Sequence, residues 1–221
     1  MAEDAPAQRA VTAAPEAAPA TTSFAIKDLH GRQAYRLLTS LVIPRPIAWI
    51  STIAADGTPN LAPFSFFNIV SGRPLMVMFS SGQRAPGEPK DTQANAIATG
   101  EFVVNLADET LAEHINQTSA TVAPHVNEFQ AFGVTAVPST DVKPPRVASA
   151  RAALEARVAQ VVPIEGSRST LVLGQVLRVH VREGVLGLDG LADSDKLAPV
   201  ARLGRDEYAG LGNVFRLTRP E

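Results

Sequence analysis

Pro44-Arg45-Pro46-Ile47-Ala48-Trp49-Ile50-Ser51-Thr52, then Asn60-Leu61-Ala62-Pro63-Phe64-Ser65-Phe66-Phe67-Asn68, then Lys90-Asp91-Thr92: these three pieces, in this order, decide how the chain reads. The first predicts a strand over 46–54. Pro44 and Pro46 cannot donate ladder hydrogen bonds, so that strand must open at a sheet edge or outside the sheet. Ala55-Asp56-Gly57-Thr58 is a turn signal. A second strand is predicted over 60–68, and Ser71-Gly72-Arg73-Pro74 turns the chain again. The third piece follows a Gly- and Pro-rich stretch, 80–89, read as a loop. It opens a helix capped by Asp91 or Thr92 that stops at Gly100.

Working outward, residues 34–41 predict a short helix, and Leu75–Phe79 is a continuous apolar run suited to a central strand. Residues 102–106 form a further strand, and Asp108 caps a second helix with Leu111 and Ile115 on one face. Prolines crowd 121–150, which reads as irregular with a short helix near 126–132. Leu154, Ala156 and Val158 alternate with Glu155 and Arg157. Leu171–Arg182 has the length of a barrel strand, its odd positions (Leu171, Leu173, Leu177, Val179, Val181) predicting the core face. Several strands, a few helices and no βαβ rhythm predict a β-rich fold, a closed or nearly closed β-barrel, in a single domain over 23–221. The Ala-, Thr- and Pro-rich residues 1–22 are expected to be a disordered tail.

Composition removes whole classes of function. The chain has 221 residues and a net charge of −2, without the basic excess of a nucleic-acid-binding surface. It has no cysteine, so disulfides, thiolate nucleophiles and zinc–sulfur sites are excluded. The histidines, His30, His114, His125 and His180, do not sit at a metal-ligand spacing. No secretion signal or membrane-spanning run is legible, so a cytoplasmic protein is expected, acting on neither nucleic acid nor membrane. Gly82–Gly87 lacks the Lys-Ser/Thr that completes a P-loop, no G-x-G-x-x-G follows a strand, and no G-x-S-x-G elbow occurs. Glu101 and Glu155 stand isolated in the sequence, and His180 reads as a structural or surface histidine.

Four local patterns can carry chemistry. At Lys90-Asp91-Thr92 the first N–H groups of a helix, the Thr92 hydroxyl and Lys90 can meet a phosphate, with Ser80 and Ser81 adding donors. The same residues serve equally as an ordinary helix start with Lys90 in solvent. Phe64–Asn68 supplies apolar surface with Ser65 and Asn68 as polar members, which suits a flat ring such as a flavin or simply a core strand. Ser51 and Thr52 need partners, from a ligand or from neighbouring backbone. Arg45, held extended between prolines, reaches either a ligand or solvent.

The ordered series P-R-P-I, S-T, N-L-A-P-x-S-F-F-N and K-D-T, completed by Gly100-Glu101-Phe102-Val103-Val104-Asn105, resembles the flavin reductase-like, FMN-binding split-barrel family. Later echoes are Asn127-Glu128-Phe129, Pro144-Pro145-Arg146, and Pro199–Gly204 with Tyr208, so the resemblance covers roughly residues 30–220. It implies a split barrel forming a homodimer with FMN bound near the subunit interface. By matching position Lys90 and Thr92 hold the phosphate, helped by Ser80. Ser51, Thr52, Phe64, Ser65 and Asn68 line the ring, with Arg45 and Ile47 close and Trp49 a candidate to stack nearby.

The implied activity is transfer of hydride from NADH or NADPH to flavin, with reduced flavin supplied to a partner monooxygenase or another acceptor. No catalytic acid or base is implied, because the cofactor carries the reactivity. The alternative is an FMN-binding electron carrier or sensor without nicotinamide turnover. A barrel holding haem or pyridoxal phosphate is a third reading, to which the scattered histidines lend little. Relatives often carry a cysteine after Leu-Glu. Here Ala156 follows Leu154-Glu155, which rules out a thiol-dependent step there.

Overall fold

A computed structural model describes residues 19–85, 87–124 and 126–220. The tail expected over 1–22 therefore lies outside the described residues except for 19–22, which carry no helix or strand. Seven antiparallel strands form the main sheet: β1 (Ala48–Ile53), β2 (Pro59–Phe64), β3 (Phe67–Gly72), β4 (Leu75–Ser81), β5 (Glu101–Leu106), β6 (Ala152–Pro163) and β7 (Thr170–Val181). Their order is β2-β1-β5-β6-β7-β4-β3. The two edge strands are thus consecutive in the chain, joined only by Ser65-Phe66. Laid flat, the edges of this sheet would stand about 29 Å apart, yet the step from Phe64 to Phe67 reaches about 11 Å at most. The sheet must roll up. Its edges meet at the Ser65-Phe66 corner without pairing, which leaves a barrel with a split.

One strand was expected over 60–68, and this corner breaks it into β2 and β3. Pro59 and Pro63 both fall on edge strand β2, where a missing N–H is tolerated. Arg45–Pro46 pairs with Ala201–Arg202 in a separate small sheet, so the prolines at 44 and 46 do lie outside the main one. The predicted turn over 55–58 forms, with the Asp56 carboxylate accepting from Thr58 N–H at 2.9 Å.

The barrel interior holds Ala48, Ile50, Phe64, Val77, Phe79, Phe102, Val104, Ala156 and Val172. Phe79 packs against Phe64 and Phe102 at centroid separations of 5.1 and 5.4 Å. A Cβ on Gly174 would lie 2.3 Å from Phe102 Cζ, so the ring fits only against a glycine. A second core lies on the outer side of β1 and β2, where Ile47, Trp49 and Leu61 meet Leu111, Ile115, Phe129 and Val147. Two helices matter for the site: α1 (Gln33–Leu41) and α2 (Asp91–Thr99), which sends Ala96 into the barrel core. Gly100, at φ 73°, adopts the left-handed geometry that ends α2.

Four expectations need correction. Leu75–Phe79 lies one strand in from an edge, and its burial alternates: Val77 and Phe79 point inward while Leu75 is exposed. The stretch 80–89 is not all loop, since Gln83–Ala85 pairs with Glu88–Pro89. The residue capping α2 is Lys90, one earlier than expected, with no side-chain cap bond. On β7 the inward residues are Val172 and Gly174, whereas Leu177 and Val179 are 37% and 54% exposed. The pairing jumps from Ala156↔Val176 to Glu155↔Arg178, leaving Leu177 as an extra residue that breaks the alternation.

Candidate functional site

The β2–β3 corner gathers six of the ten residues singled out as cofactor contacts. Phe64 ends β2 with its ring in the barrel, and Lys90 Nζ lies 5.6 Å from the centroid of that ring. Ser80 N–H donates to the Phe66 carbonyl at 2.8 Å, which pins the corner to β4. Arg45 Nε approaches Ser65 Oγ at 3.5 Å, and Arg45, Ile47 and Ser65 line one cavity of about 1270 Å³. Arg45 is nearly buried, and its guanidinium donates to the carbonyls of Thr39, Val42 and Leu203. It thereby ties α1 and the C-terminal segment to the barrel. Burial draws its pKa below the usual arginine value, with Tyr35 opposing and Arg202 adding to that.

The start of α2 is suited to an anion. No side chain caps it among the described residues, so its first N–H groups are available, and Lys90 stands beside them. Asp91 does not turn back onto the helix. Its carboxylate pairs with Arg84 at 2.5 Å, which removes a repulsive charge from the same end. Arg84 also donates to the Val122 carbonyl at 2.8 Å.

Thr52 and Thr92 are inside the protein instead. The Thr92 hydroxyl donates to Asn60 Oδ1 at 2.7 Å, and Thr52 Oγ1 donates to the same atom at 3.2 Å. Asn60 Nδ2 donates to Glu128 Oε1 at 2.9 Å, and Leu61 N–H to Glu128 Oε2 at 3.1 Å. The Glu128 carboxyl pKa is pushed up by burial, against the hydrogen bonds it accepts, with the Asp91 charge raising it further. This network fastens α2 to the barrel edge. Ser51, fully buried on the opposite side of β1, donates to the Pro145 carbonyl at 2.5 Å and accepts from Asn105 Nδ2 at 3.2 Å. Asn68 is exposed, its Oδ1 accepting from Ile69 N–H at 2.8 Å. Trp49 is fully buried in the outer core, its indole N–H donating to Thr118 Oγ1 at 2.9 Å.

Sequence reasoning missed several members of this region. Tyr35 and the exposed Phe66 meet with centroids 6.4 Å apart, and nothing local in the sequence pairs them. Asn60 and Glu128 had a signal, since both belong to the matching pieces, but their contact is set by tertiary packing. Glu155 is also not isolated. It is fully buried, accepts from Thr140 and Asp141 N–H at 2.8 and 2.6 Å, and lies 2.5 Å from His180 Nε2. Burial pushes its carboxyl pKa up, but these partners outweigh that and hold it below the usual glutamate range. Among the described residues no cluster of His, Asp and Glu could hold a metal ion, and no helix is long and apolar enough to cross a membrane.

Comparison with known proteins identifies the family and the fold. The family model described as flavin reductase like domain matches residues 40–196. An uncharacterised Halalkalibacterium halodurans protein, BH2278, is 38% identical over 197 residues, covering 87% of this chain and 94% of its own. The crystal structure of nitrilotriacetate monooxygenase component B from Bacillus cereus superposes with a TM-score of 0.86 at 34% identity, over 90% of this chain and all of that one. The 2-nitrobenzoate 2-nitroreductase of Pseudomonas fluorescens follows at 0.82 and 29%, over 90% and 96%. The family-model match and these similarities place this chain in the flavin reductase-like family.

Proposed function

We propose that the protein binds FMN and is an oxidoreductase that oxidises NADH or NADPH and passes the electrons to flavin. The observation that carries this reading is the uncapped start of α2 at Lys90, whose Nζ lies 5.6 Å from the centroid of the Phe64 ring. A phosphate there meets backbone donors, the positive end of the helix and an ammonium group. Lys90 and the N–H groups of Asp91 and Thr92 would hold the phosphate, with Ser80 nearby. Phe64, Ser65, Arg45 and Ile47 would border the ring, with exposed Asn68 a further polar candidate. Thr52 supports that wall through its buried bond to Asn60, whereas Ser51, on the opposite side of β1, is committed to Pro145 and Asn105.

When bound, FMN would supply the redox chemistry, as acceptor of a hydride from a dihydronicotinamide and donor of two electrons to an acceptor. The chain's own residues bind, orient and exclude water. The network through Thr52, Asn60, Thr92 and Glu128 fixes the helix start, and Arg45 fixes the wall of the cavity. No side chain is required as acid or base.

A partner oxygenase or a nitroaromatic compound is the proposed acceptor class, supported by the names of the two similar structures. A homodimer is supported by apolar residues left exposed on the sheet, among them Ile69 at 69%, Leu75 at 58% and Val179 at 54%. Sedimentation at the mass of one chain would contradict the dimer. For the function, protein mixed with FMN and freed of excess should keep a flavin absorption band, and NADH or NADPH should bleach it. A preparation that retains no flavin would overturn the reading.

A further inference from the structure

The cavity beside Arg45 is rich in arginine. Arg32, Arg36, Arg45, Arg202 and Arg205 line it, and among the described residues Asp206 is its only carboxylate. The chain as a whole has a net charge of −2, so this is a local concentration of positive charge. Arg45 is committed to backbone carbonyls, and Arg202 lies over the Tyr208 ring at 4.5 Å while facing Asp206 at 3.6 Å. Among the described residues the side chains of Arg32, Arg36 and Arg205 make no hydrogen bond or ion pair. Arg205 also sits at φ 53°, a left-handed conformation that costs a non-glycine residue about 1–2 kcal/mol. That conformation belongs to the hairpin turn closed by Glu207 N–H on the Gly204 carbonyl at 3.1 Å, and the turn places Arg205 in the cavity lining.

We infer that this cavity receives a nicotinamide dinucleotide carrying a 2′-phosphate, so that the protein prefers NADPH to NADH. The inference rests on the reductase reading above. Arginine forks match phosphate oxygens two at a time, and three free guanidinium groups suit a ligand with a pyrophosphate and a further phosphate. Tyr35 and Tyr208 in the lining offer flat surfaces for the adenine, Tyr208 already stacked on Arg202. The volume, about 1270 Å³, accommodates a dinucleotide. One wall is continuous with the proposed flavin platform through Ile47 and Ser65. The nicotinamide end therefore reaches the ring while the phosphates stay among the arginines.

The test uses the full chain loaded with FMN. Calorimetric titration should show adenosine 2′,5′-bisphosphate binding at least about tenfold more tightly than adenosine 5′-monophosphate. In steady-state assays the double substitution Arg32→Ala/Arg205→Ala should lower the NADPH-to-NADH ratio of kcat/KM by about tenfold or more, leaving FMN affinity unchanged. Arg205→Lys should recover part of the ratio. Equal binding of the two nucleotides, an unchanged ratio, or a loss of FMN affinity in the double variant would each overturn the inference. A chain that retains no flavin defeats the reductase reading instead, and the nucleotide titration still reports on the cavity.

Discussion

Replacing Thr92 by valine separates two roles that the sequence left together. Matching position assigns the Thr92 hydroxyl to a phosphate, whereas in the fold that hydroxyl is buried and donates to Asn60 Oδ1 at 2.7 Å. Valine keeps the shape and removes the donor, and Asn60 Oδ1 retains its second partner, Thr52 Oγ1, at 3.2 Å. The loss is then one internal hydrogen bond, about 1 kcal/mol. For a chain of this size that lowers Tm by about 2–4 °C. FMN affinity should move by less than about threefold, because the backbone N–H groups of α2 remain. Lys90→Ala should do the reverse. It removes a charged contact worth about 1.5–3 kcal/mol, or roughly ten- to a hundredfold in affinity. As a surface change it should shift stability by no more than about 0.5 kcal/mol. Thermal unfolding followed by circular dichroism and FMN titration followed by flavin fluorescence measure both quantities. A tenfold loss of FMN affinity in Thr92→Val with unchanged Tm would refute the assignment of its hydroxyl to Asn60.

Two further outcomes follow from the packing and the buried charge. Gly174→Ala puts a methyl 2.3 Å from Phe102 Cζ and should destabilise by about 1–3 kcal/mol. Adding Phe102→Leu should recover part of that loss in chemical denaturation, and strictly additive effects would show that the ring is not the obstacle. Glu155 has a folded pKa below its ordinary value, so it contributes stability above the unfolded pKa, about 4.3, and that contribution is lost as pH falls through the folded value. Glu155→Gln should be less stable at neutral pH by about 1–3 kcal/mol and should show a shallower loss below about pH 4.3. Parallel acid limbs for the two proteins would contradict the account.

Features that depend on neighbours in the chain were legible. Asp56-Gly57 makes its turn, Gly100 ends its helix, and Asp108 Oδ1 caps Glu109–Leu111 by accepting from Thr110 N–H at 2.9 Å. Each follows from a side chain or backbone angle acting within a few residues. Leu154, Ala156 and Val158 face the barrel as their alternation predicts. On β7 the same reasoning chose the wrong face for Leu171 and Leu173 and missed the shift of face between Val176 and Arg178. The extra residue at Leu177 answers to the partner strand and is invisible in a period of two. The corner at Ser65-Phe66 was likewise hidden, because the residues around it read as one continuous strand.

The candidate site divides along the same line. Lys90 ahead of a helix, beside an aromatic strand, was visible as a pattern of residue types, since a helix start offers donors whatever surrounds it. Which hydroxyls remained available could not be read, since Thr52, Thr92 and Ser51 find their partners in Asn60, Pro145 and Asn105, which lie on other elements. By itself, then, the sequence determined most of the strands, the helix start to within a residue, and the family. The tertiary structure alone decided how the sheet rolls, which polar groups are already satisfied and where the arginines converge. Hydrogen-bond satisfaction and charge density are properties of groups brought together across long stretches of chain.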